Sequence, residues 1–135
     1  KNFGIRVLIN DKKKINKKIS TLDTLVRNSD IISINVNLAS NKQLLNKKRL
    51  SLCKRNCLII NTARSEVIDN NHLYILLKNK KILGACIDVF DQEPYYGKYT
   101  KLKNVILTPH IGSYSKEIRS KMEREALESI INVKK

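Results

Sequence analysis

The sequence has little of what usually staples, anchors or metallates a chain. It holds three cysteines, Cys53, Cys57 and Cys86, and an odd set without metal-type pairing reads as reduced thiols packed as small apolar residues in a cytoplasmic setting. Cys53 and Cys57 have no histidine or second cysteine pair to complete a zinc site, so no metal is expected. No uninterrupted apolar run approaches the roughly 20 residues of a membrane span, and the opening residues carry no signal-peptide pattern. No membrane association is expected. Glycine is scarce, at four residues, and nowhere spaced as Gly-x-Gly-x-x-Gly, the loop whose backbone amides cradle a dinucleotide pyrophosphate. Acidic side chains are also few, 12 against 27 lysines and arginines, which gives a net charge of +15. Such a balance suggests nucleic acid. However, lysine dominates arginine, and the lysines are scattered along the chain among many Asn and Ile residues, as in a global compositional bias. No nucleic-acid partner is expected.

What is present is enough for one domain. The 135 residues are 41% hydrophobic, sufficient to bury a core. The chain opens at Lys1 directly before a strand-like run, residues 5–9, which leads us to expect part of something longer. That run ends at Asn10-Asp11, a turn signal. After a basic stretch, Ser20 or Thr21 can cap a short helix carrying Leu22, Leu25 and Val26 and ending near Asn28. A second strand is expected over 31–36, then a helix capped by Asn46 and reaching about Cys53. The apolar run 58–60 reads as a strand buried on both sides. Asp69 caps a helix striped by Leu73, Leu76 and Leu77. Strands are expected over 84–90 and 105–107, and Ser115 opens a long helix with Ile118, Met122, Ala126, Leu127 and Ile130 on one face. Alternating strands and helices predict an α/β fold, a Rossmann-type doubly wound parallel sheet.

In such sheets ligands bind beyond the carboxyl ends of the strands. Arg64, Glu93 and His110 each follow one of those ends. Singly, each is an unremarkable loop residue, but together they form a chemically coherent set. An arginine fork holds a carboxylate, and a histidine takes and returns a hydroxyl proton. A carboxylate paired with the imidazole favours its protonated form and fixes its orientation. This is what oxidation of a 2-hydroxy acid requires, with a nicotinamide as hydride acceptor.

Four segments carry a resemblance. They are Asn61-Thr-Ala-Arg-Ser-Glu-Val-Ile-Asp69, Gly84-Ala-Cys-Ile-Asp-Val-Phe-Asp-Gln-Glu-Pro94, Asn104-Val-Ile-Leu-Thr-Pro-His-Ile-Gly-Ser113 and, more degraded, Ser29-Asp-Ile-Ile-Ser-Ile-Asn-Val-Asn37. Together they resemble the NAD-binding domain of the D-isomer-specific 2-hydroxyacid dehydrogenases, the family of phosphoglycerate, lactate, glycerate and formate dehydrogenases. The resemblance implies that Arg64 binds substrate, His110 is the acid–base and Glu93 is its partner. It also implies that Asp88 contacts the nicotinamide carboxamide, that Val36, Thr62, Ala63, Arg64, His110, Gly112 and Ser113 line the cofactor, and that Asp11 accepts from the adenosine ribose. An acid at that position favours NAD over NADP, and the lysines at 12–14 soften its repulsion of a 2′-phosphate. The substrate is then a small 2-hydroxy or 2-oxo acid, 3-phosphoglycerate among the candidates, and the complete protein a homodimer.

The departures from that pattern are specific. The glycine-rich loop is missing, as expected if residues 1–135 form a partial NAD-binding domain without its first strand. The family's substrate domain has no counterpart either. Asn35 and Asn37 stand where the family usually has His and Pro. Ser65 replaces a glycine, at a cost of about 1 kcal/mol if the backbone there needs positive φ. Two alternatives stay open beside the enzyme: an NAD-sensing corepressor-type module on the same fold, and an inactive remnant.

Overall fold

A computed structural model describes residues 4–11, 19–38 and 42–133. Local signals start most of the elements. Thr21 Oγ1 accepts from the amide of Thr24 and caps α1 (Leu22–Asn28). Asn46 accepts from the Arg49 amide ahead of α2 (Lys47–Leu50), and Asp69 from the His72 amide ahead of α3 (Asn70–Lys78). Each cap satisfies an amide that the first helical turn would leave without a partner. Lys116–Val133 forms α4.

Four strands, β1 (Ile31–Ile34), β2 (Leu58–Asn61), β3 (Gly84–Ile87) and β4 (Val105–Leu107), form one sheet in the order β1-β2-β3-β4. Every pairing is parallel. The register sets Ile32 beside Ile59, Ile59 beside Ala85 and Ala85 beside Val105, so these side chains share one face. On that face the sheet packs against Val26 of α1, Leu50 of α2, and Leu73 and Leu77 of α3, all buried in a single cluster. This is the parallel α/β sheet of a Rossmann-type fold.

The opposite face is more open among the described residues. Ile31 and Ile106 there are 61% and 64% exposed, and Leu58, Ile60 and Cys86 are half-buried. The run 58–60, expected to be buried on both sides, is therefore sealed on one side only. The described side chains of α4 are exposed throughout, its apolar stripe included.

The strand expected over residues 5–9 does not form. Among the described residues its only ladder contact is a bridge from Ile9 to Ile19, and Ile5, Val7 and Ile9 stay exposed. A β-branched run becomes a strand only where a neighbour accepts its backbone bonds, and the sheet here ends at β1. The strands expected over 31–36 and 84–90 stop at Ile34 and Ile87. The helix after Asn46 stops at Leu50, continuing to Cys53 only as turns. The lysines at 12–14 lie outside the described residues.

Candidate active site

Parallel pairing brings the carboxyl ends of all four strands to one rim, where the loops after β2, β3 and β4 lie side by side. The loop after β2 is held by Asn61. Its side chain, 1% exposed, accepts from the Ala63 amide (3.1 Å) and donates to the Arg64 carbonyl (3.0 Å). This Asx-type turn rigidifies residues 61–64. Arg64 is exposed at its end, with Nη1 donating to the Ala63 carbonyl at 2.7 Å. Ser65 is buried without positive φ, so the cost anticipated for its Cβ does not arise. Its hydroxyl accepts from Asn70 Nδ2 at 2.8 Å.

The loops after β3 and β4 meet each other. His110 Nδ1 lies 2.9 Å from Glu93 Oε2 and 3.1 Å from Oε1. Glu93 Oε1 also accepts from the Phe90 amide at 3.1 Å. The bond to His110, then that from Phe90, holds the Glu93 carboxyl below its ordinary 4.5. With Nδ1 turned to Glu93, Nε2 is the nitrogen positioned for exchange with a ligand. The pair opens onto a cavity of about 710 Å³ walled by Phe90, Tyr95, Thr100, Leu107, Ser113 and Tyr114 among others. Phe90 and Tyr95 stack in that wall, centroids 4.1 Å apart.

Asp88 is 5% exposed. Its carboxylate accepts from Thr108 Oγ1, from the Ile111 amide (3.0 Å) and from the Gly112 amide (3.2 Å). Burial works to raise its pKa, but these bonds and the nearby imidazole outweigh it and hold the group below 3.8.

Arg64 lines a different cavity, about 530 Å³, together with Asn35, Val36, Asn37, Leu38, Thr62 and Ala63. The structure thus brings His110 and Glu93 into contact and sets Arg64 beside Val36, Thr62 and Ala63. Asp11 is exposed at the end of the described 4–11 segment and lines neither cavity.

A sequence model described as the D-isomer specific 2-hydroxyacid dehydrogenase, NAD binding domain, matches residues 1–112. The chain belongs to that family. It is 37% identical to a glyoxylate reductase of Thermococcus litoralis over 97% of its own length and 42% of the relative's. To the glyoxylate reductase of Pyrococcus horikoshii it is 38% identical over 100% and 43%. Among solved structures, an acyclic imino acid reductase in complex with NADPH and D-Arg superposes with a TM-score of 0.82 and 36% identity, over 92% of this chain and 41% of that one. D-Lactate dehydrogenase from Aquifex aeolicus, complexed with NAD and lactic acid, gives 0.84 and 28%, over 95% and 46%. The chain therefore spans less than half the length of these relatives.

Set against a bound dinucleotide, the residues present fit one end. The rim offers a concave surface at Val36, Thr62 and Ala63 and a buried carboxylate at Asp88. The glycine-rich pyrophosphate loop, however, has no counterpart in the sequence. Among the described residues no group of His, Cys, Asp and Glu could hold a metal ion, and no helix is long and apolar enough to cross a membrane.

Sequence reasoning missed Asn61, Thr108 and the aromatic wall. Asn61 had a readable signal, an Asn opening a tight Asn-Thr-Ala-Arg turn. Thr108 had none, because its partner, Asp88, lies in the loop after a different strand.

Proposed function

We propose that this chain forms the nicotinamide-binding side of a dehydrogenase that interconverts a small 2-hydroxy acid and its 2-oxo acid. The observation that carries the reading is the hydrogen-bonded His110–Glu93 pair at the carboxyl rim of a parallel sheet in a chain of this family.

In the reducing direction, protonated His110 gives its Nε2 proton to the carbonyl oxygen as hydride reaches the carbon; in oxidation it takes that proton back. Glu93, bonded to Nδ1, stabilises the imidazolium and keeps Nε2 aimed at the substrate. Arg64 supplies the cation for the substrate carboxylate from the neighbouring loop. The nicotinamide, when bound, supplies or accepts the hydride. Val36, Thr62, Ala63, Asp88, Gly112 and Ser113 would border it, with Asp11 on the adenosine side. The names of the relatives favour glyoxylate or a similarly small 2-oxo acid over 3-phosphoglycerate. We assign the cofactor as NAD and the whole protein as a homodimer.

The test is NADH oxidation by the whole protein with glyoxylate and a panel of 2-oxo acids. His110→Gln is expected to lower kcat/KM by about 10²–10⁴; wild-type turnover in that variant overturns the reading. The 135-residue chain assayed alone is expected to show almost none, because it has no pyrophosphate cradle.

A further inference from the structure

His110 occupies a backbone conformation that must be maintained. Its φ is +56°, in the left-handed region, where an L side chain crowds its own backbone and which histidine tolerates better than most residues. The loop bearing it, residues 108–112, has no helix or strand to fix it. What reaches it from the residue just after β3 is the Asp88 carboxylate. One oxygen accepts from Thr108 Oγ1 and the Ile111 amide, the other from the Gly112 amide. The three donors flank His110 on both sides in sequence, so the carboxylate bridges the start and end of the turn whose middle is the strained residue. A Cβ at Gly112 would stand 3.4 Å from Asp88 Oδ2, at the edge of ordinary contact, so the clasp does not itself demand glycine there.

We propose that Asp88 and Thr108 form a clasp that positions His110, holding its loop in the left-handed turn that brings the imidazole onto Glu93. The clasp rests on the dehydrogenase reading for its purpose, and it gives Asp88 a task besides any contact with a cofactor. Three of the roughly four acceptor positions of that carboxylate are taken within the chain itself. Thr108 acquires a role through its hydroxyl. The side chain that stands behind the acid–base is therefore not Glu93 alone: Glu93 sets which nitrogen carries the proton, and Asp88 sets where the ring is.

The experiment is ¹⁵N NMR of the full 135-residue chain without ligand, following solvent exchange of the His110 Nδ1 proton. Asp88→Asn leaves at most one suitable acceptor oxygen, Thr108→Val removes one donor, and Thr108→Ser keeps it. We expect exchange to quicken about tenfold or more in Asp88→Asn, as for loss of bonds to a charged acceptor. A smaller increase is expected in Thr108→Val and wild-type behaviour in Thr108→Ser. The Ile111 and Gly112 amides should move upfield in the first two. Thr108→Val is close to isosteric, so the test survives if Asp88→Asn folds poorly. Wild-type exchange in Asp88→Asn or in Thr108→Val overturns the clasp. Equal disruption by Thr108→Ser and Thr108→Val does so too, because it assigns the effect to packing. NADH oxidation by the whole protein judges the dehydrogenase reading separately, so either can fail without the other.

Discussion

The side chains of His110 and Glu93 are 44% and 37% exposed, so water screens their attraction and the pair contributes more to orientation than to stability. Its pH behaviour has a definite sign. The hydrogen bond from His110 depresses the folded-state pKa of Glu93 below 4.5. The contribution of the pair is therefore fully present above the unfolded value and lost as pH falls through the lower, folded one. A titration following the Glu93 carboxyl carbon by NMR is expected to give a midpoint below 4.5 that returns toward it in His110→Gln. A wild-type midpoint at or above 4.5 contradicts the geometry. At this scale the sequence was partly legible. Arg64, Glu93 and His110 could be picked out because each is a chemically active residue following a recognisable strand. That Glu93 would pair with His110 was expected from their chemistry and from the family resemblance; that Arg64 would line a separate cavity was not. Its placement depends on loop paths that no local rule supplies.

At the scale of elements, what was legible was local. The caps Thr21, Asn46 and Asp69 were all visible because a cap acts within three residues of itself. The expected strand over 5–9 did not form because strand pairing is non-local. Its β-branched composition was right, but among the described residues only the single Ile9–Ile19 bridge pairs with it. The β3 edge facing β4 illustrates the same dependence. A Cβ added to Gly84 would lie 2.7 Å from the Asn104 carbonyl oxygen, and Ala85 donates its amide to that same oxygen. Gly84→Ala must push the backbone of β4 away from β3, and it is expected to cost about 1–3 kcal/mol in urea unfolding. Faster amide exchange should follow at Ala85, Cys86 and Ile87, while α1 is unaffected. A change within about 0.5 kcal/mol, the usual range for an innocuous surface substitution, shows that the close approach is relieved at no cost.

Across the whole molecule, burial is lopsided. The core cluster gathers on the face of the sheet that carries α1, α2 and α3, whereas Ile118, Met122, Leu127 and Ile130 of α4 are about half exposed or more. An 18-residue helix whose described side chains are all exposed relies largely on its own propensity, and isolated helices of that length are marginal in water. The energetic asymmetry can be measured on the same chain. Leu73 is fully buried among the core residues, and Leu73→Ala should cost about 2–5 kcal/mol through lost transfer energy and the cavity left behind. Met122→Lys with Ile130→Lys removes comparable apolar bulk from α4 and should change urea stability by no more than about 0.5 kcal/mol, since neither side chain leaves the core. The contrast decides whether the apolar stripe of α4 is core or surface. If the α4 double variant loses as much stability as Leu73→Ala in the isolated chain, the helix already packs within this domain, and its apolar stripe is core. If it loses almost none, the stripe is surface in this chain, which is what the exposure of α4 predicts.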